Sequence, residues 1–127
     1  MKHLKTYQIF ESSVEEIKQY LFEIFSDLKG DGYRIHIDSG LNINDKRRLI
    51  NGEYIRVEIS KKHINEEVMF SIDHALAFLS DLGFNDVNFL LKLFVSHMRY
   101  TYSVDYKNLR KTIKENQFEC ITLEINN

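Results

Sequence analysis

The side chains that could carry chemistry in this 127-residue chain are five histidines, one cysteine, some turn-flanking aspartates, two basic clusters and a group of tyrosines. His3, His36, His63, His74 and His97 share no metal-ligand spacing. His36 and His97 could form a pair if their strands are neighbours; otherwise they are surface residues. Cys120 sits in a β-type pattern with no base near it in sequence, which suits a small sheet residue better than a nucleophile. Asp27, Asp31 and Asp38 flank one turn, and Asp81 and Asp86 another. Paired carboxylates can bind Mg²⁺ or exchange protons, but aspartate beside a turn also bonds the local backbone N–H groups, and that simpler role is expected here. No nucleophile elbow, P-loop, dinucleotide fingerprint, zinc-protease helix or EF-hand loop is written in the chain. The expectation is a protein without a catalytic centre, metal or cofactor.

Binding chemistry is better represented. Lys46, Arg47 and Arg48 form the densest cationic run, and Lys61 and Lys62 a second one. If the strands beside them pair, both runs lie toward one edge and form an anion-binding or partner-binding patch. The bland alternative is a solvated loop plus a strand end guarded by lysine. Arg99, Tyr100, Tyr102 and Tyr106 form a candidate aromatic interface. Tyr100 and Tyr102 share one strand face by their spacing of two. Sheet packing, a protein interface and base stacking are the three uses, in that order.

These residues must be positioned by a small set of elements. Val14, Ile17, Leu21, Ile24 and Leu28 recur at helical spacing and predict a helix over 13–29, with Ser13 and Glu16 as a capping box and Gly30 as its stop. Strict alternation predicts strands over 33–38 and 53–61, paired antiparallel across a long connection that ends in an Asn51-Gly52 turn signal. Residues 71–82 read as a second helix, with Ser71 as N-cap and Gly83 as stop. The run 87–95 is apolar without a period, and 98–104 is rich in strand formers. One bulged strand, or a helix followed by a strand, is expected there. A short helix over 105–116 and a strand over 119–125 complete the chain. In that last strand Ile121, Leu123 and Ile125 should face inward, with Glu119, Thr122 and Glu124 mostly outward. The order α-β-β-α-β-α-β predicts an α+β fold: a two-layer sandwich with a mostly antiparallel sheet and helices on one face. Residues 1–12 are expected to be an N-terminal extension and 13–127 a single domain.

Composition narrows the class. With 43% hydrophobic and 28% charged residues the chain has the balance of a globular domain. A net charge of −2 argues against nucleic-acid binding by bulk positive charge and leaves room for a local patch. A lone cysteine suits a reducing compartment such as a cytoplasm. No apolar run approaches the roughly 20 residues that span a bilayer, so no membrane partner is expected. The chain has no proline or tryptophan, two alanines and 14 isoleucines. That bias toward AT-rich codons fits an AT-rich bacterium or its phage.

The first eleven residues, MKHLKTYQIFE, are basic and amphipathic. Lys5-Thr6-Tyr7-Gln8 and Ile9-Phe10-Glu11 resemble the leaders of tailed-phage proteins, including the capsid-targeting leaders of T-even-type internal head proteins, which are cut after a glutamate in an apolar-x-Glu context. The resemblance covers less than a tenth of the chain. It implies a phage-encoded protein. Three readings follow: a non-enzymatic protein-interaction module, such as an inhibitor of a host or defence protein; a packaged virion protein; or a nucleic-acid-binding module using a basic and aromatic patch. The expected partner is another protein, with a second copy of the chain as one version of it.

Overall fold

The computed structural model describes residues 14–41 and 53–126. In chain order these form α1 (Val14–Phe25), a 3₁₀ turn (Ser26–Asp31), β1 (Arg34–Leu41), β2 (Glu53–Ser60), α2 (Val68–Asp81), β3 (Asp86–Val95), β4 (Met98–Val104), α3 (Tyr106–Glu115) and β5 (Cys120–Asn126). The architecture is the α+β arrangement expected. Three helices accompany a five-stranded sheet whose strand pairs are all antiparallel, in the order β1-β2-β5-β3-β4. None of the described helices is long and apolar enough to cross a membrane.

Alternation decides the two faces. Ile55, Val57 and Ile59 on β2 lie beside Ile125, Leu123 and Ile121 on β5, which lie beside Val87, Phe89 and Leu91 on β3. This apolar face joins Ile17, Leu21 and Phe25 of α1, Ile72, Ala75 and Leu79 of α2, and Leu109 and Ile113 of α3 in one core. The opposite face carries Arg34, His36 and Asp38, then Glu58 and Ser60, then Cys120 and Thr122, then Lys92 and Phe94. Thr122 was expected to be outward-facing. It does point to this open face, yet is only 1% exposed because its strand has neighbours on both sides.

The local signals need three corrections. First, α1 gives way to the 3₁₀ turn, and the left-handed stop is Gly32 (φ +91°) instead of Gly30. There the Gly32 N–H donates to Lys29 O and the Tyr33 N–H to Leu28 O, satisfying the last carbonyls. Second, α2 begins at Val68, three residues before Ser71, which is buried inside the helix. The turn Asn65–Glu67 accepts the first helical N–H groups through its carbonyls, so no side-chain cap is used. Third, 87–104 is neither one bulged strand nor a helix followed by a strand. It is a hairpin, and Ser96 and His97 at its turn have φ of 50° and 70°. Both central residues lie in the left-handed region that suits the right-handed twist of the flanking strands. The expected Ser13 cap, the 1–12 extension and the Asn51-Gly52 turn lie outside the described residues.

Leu123→Ala, at a fully buried position of β5, should lower the unfolding free energy by about 2–5 kcal/mol. Thr101→Ala on the exposed β4 should change it by less than about 0.5 kcal/mol. Replacing Ser96-His97 by Asn-Gly should raise stability by about 1 kcal/mol, since Asn and Gly enter the left-handed region at lower cost. Urea denaturation followed by circular dichroism measures all three.

Candidate functional site: the open sheet face and the free edge strand

The open face has a groove of about 690 Å³ at the end of the sheet where β1 begins and β2 ends. Its walls carry Arg34 from β1, Lys61 and Lys62 just beyond β2, Lys92 from β3 and Arg99 from β4. Glu58 and Glu119 are the acidic members of the lining. The register explains the convergence. Arg34 lies opposite Ser60, Ser60 opposite Cys120, and Cys120 opposite Lys92, so these four form one straight row across the sheet. Ser60 and Cys120 are small and leave the floor low. Backbone bonds clamp this end of the sheet: the Lys61 N–H donates to Glu119 O at 3.1 Å, and the Glu119 N–H donates to Lys92 O at 3.0 Å.

Lys61 is held in place by a buried tyrosine. The Tyr33 hydroxyl donates to Glu67 Oε1 at 3.1 Å and accepts the Asn65 N–H at 3.0 Å. Lys61 Nζ lies 4.6 Å from the centre of the Tyr33 ring and 3.7 Å from Glu67 Oε1. Ring, carboxylate and ammonium form one unit at the groove's rim. Burial raises the pKa of the Tyr33 phenol; the Asn65 N–H pulls it down, and the Glu67 charge and hydrogen bond push it up.

Of the two sets of residues singled out in the sequence, the structure splits both. Lys61 and Lys62 line the groove, while Lys46, Arg47 and Arg48 lie outside the described residues. Arg99 leaves the tyrosines and joins the groove, because strand alternation turns it to the open face, where its guanidinium carbon stands 5.5 Å from the Phe94 ring centre. Tyr100 and Tyr102 face the helix side of β4, where Tyr102 meets Phe118 edge-on at 6.0 Å. Tyr106, at the start of α3, packs its ring 6.0 Å from Phe89 and donates a hydrogen bond to the Asp73 carboxylate. Arg110 bridges Asp73 and Glu66, and Lys114 also reaches Glu66, so Tyr106 belongs to a network that fastens α3 to α2. That hydrogen bond is the main cause of the raised Tyr106 pKa.

The other candidates separate. His36 on β1 and His97 at the β3–β4 turn lie toward opposite edges of the sheet, on strands that are not neighbours, so the condition for a pair is not met. Cys120 is buried, with Sγ 3.9 Å from the Thr122 hydroxyl. Among the described residues no three His, Cys, Asp or Glu side chains are placed to hold a metal ion. Sequence reading missed Arg34, Lys92 and Phe94 as groove residues. Each looks like an ordinary strand residue until four strands are laid side by side.

Tyr33→Phe should cost about 1–2 kcal/mol, because it leaves the Asn65 N–H without its acceptor. It should also change the alkaline limb of stability. The folded state holds the Tyr33 proton more tightly than the unfolded chain, whose phenol ionises near pH 10. The contribution is therefore complete below pH 10 and is lost as the pH rises from there through the folded pKa. Urea midpoints measured across that range should fall less steeply for Tyr33→Phe than for the native chain.

No family model matches the chain, and searches of curated proteins and of solved structures give no significant match.

Proposed function

We propose that the chain is a small non-enzymatic interaction module that recognises another protein through the free edge of β4. The observation that carries this reading is the exposure of that strand. Met98 is 60% exposed, Tyr100 41% and Tyr102 48%, and every residue from Met98 to Ser103 is open to solvent. Large apolar and aromatic side chains on an edge that no other described strand pairs with are what a partner strand would cover, through main-chain hydrogen bonds on the edge and side-chain contacts on the Tyr100–Tyr102 face.

The two edges of the sheet differ in kind. β1 turns Arg34, His36 and Asp38 outward, charges that discourage strand addition. β4 has Arg99 as its one charged residue and no lysine or proline. The adjoining Val95, 47% exposed and opposite Met98, extends the apolar surface to the hairpin tip. A partner contributing an extended segment with apolar residues at alternate positions fits this edge. The tailed-phage resemblance of the leader supports a host or defence protein as that partner, with the chain as its inhibitor.

Affinity capture from an extract of the host should compare the native chain with a Met98→Glu, Tyr100→Glu variant of unchanged circular dichroism and melting temperature. The expected result is a protein retained by the native chain and reduced at least tenfold by the variant, with β4 amides protected from hydrogen exchange in the purified complex. Equal retention by both chains, or unprotected β4 amides in the complex, would remove the edge as the docking surface.

A further inference from the structure

The cationic groove lies on the open face, where it shares Arg99 with β4, and its chemistry differs from that of the Tyr100–Tyr102 face. We infer that it binds single-stranded nucleic acid, with the phosphates on the cations and one base stacked on Phe94.

Charge comes first. The groove gathers Arg34, Lys61, Lys62, Lys92 and Arg99 against Glu58 and Glu119, a local excess of cations in a chain whose net charge is −2. Among the described residues, Lys61 is the groove cation with a carboxylate partner, Glu67 at 3.7 Å; Arg34, Lys62, Lys92 and Arg99 have none. A polyanion would not need to break ion pairs among the described residues to reach these four.

Shape comes second. Arg34 and Lys92 are three strand spacings apart, about 14 Å, with Ser60 and Cys120 between them. A single phosphate cannot bridge that span, whereas a strand with phosphates at intervals can. The groove is an open trough on a sheet surface, which suits an extended ligand.

The aromatic ring decides between polyanions. Phe94 is 45% exposed on the same face, directly across the ladder from Arg99. An acidic peptide would satisfy the cations but has no flat face to add to the stack that Arg99 makes with this ring, 5.5 Å from its centre. A nucleic-acid base has the flat face that stacks on it, and stacking of this kind accompanies cationic tracks on single-strand binders.

The test is fluorescence anisotropy with labelled oligo-dT and oligo-U of about twelve nucleotides, at ~50 mM salt and above. Saturable binding is expected, with affinity falling as salt rises at a log–log slope of about −2 to −3, the value for three or four phosphates. Lys92→Glu combined with Arg99→Glu should weaken binding at least tenfold, and Phe94→Ala by about tenfold. Lys62→Glu, outside the strands, should weaken it several-fold and carries the charge test if the double variant does not fold. Absence of binding at ~50 mM salt would overturn the inference. So would unchanged affinity in Phe94→Ala, or equally tight binding of a duplex or of an oligo-glutamate peptide, since each would mean that the groove does not read a free base.

Discussion

The insertion of β5 between two hairpins is the constraint on which the structure rests. β1 pairs with β2 and β3 with β4, but β2 and β3 have no ladder between them; each instead pairs with β5. The strand that comes last in the described chain is therefore the centre of the sheet. It is buried on both faces, with Ile121, Leu123 and Ile125 against the helices and Cys120 and Thr122 shielded on the other side. Its hydrogen bonds join the two halves of the molecule, and its apolar side chains carry the core from one half to the other.

The surfaces follow from this arrangement. The groove draws Arg34 and Lys62 from the first hairpin's side and Lys92 and Arg99 from the second, with Cys120 on the floor. It is a property of the assembled sheet and of neither hairpin alone. Among the described residues the helices cover one face only, and the groove lies on the other. β4, at the far edge, extends beyond that cover and presents Tyr100 and Tyr102 on one side and Arg99 on the other. One short ribbon thus contributes to two surfaces of unlike chemistry, separated by the alternation of a strand.

The strands that alternate cleanly, β1 and β2, were legible in the sequence, and so was α3 from Leu109 and Ile113. The stretch at 87–104 was harder for a physical reason. β3 is partly buried and reads as a continuous apolar run, and its turn is made by Ser96 and His97, which lack the glycine that usually marks left-handed backbone. Ser71 misled because serine favours helix N-caps, whereas here the preceding turn feeds its carbonyls to the helix and Val68 and Met69 already lie in the core. The groove was half legible. Lys61 and Lys62 are adjacent in sequence and stand out there, while Arg34 and Lys92 are brought into one row only through the β1-β2-β5-β3 order, which no local pattern encodes. Arg99 stands beside the tyrosines along the chain, and the pleat sends it the other way.

The central place of β5 has a consequence for synthesis. A ribosome completes both hairpins before it makes the strand that unites them, so the nascent chain carries bare inner edges on β2 and β3 as well as the outer edge on β4. Until residues 120–126 emerge, those inner edges are open to the β5 segment of a neighbouring chain, and exchange of that segment between copies is the misassembly this topology invites.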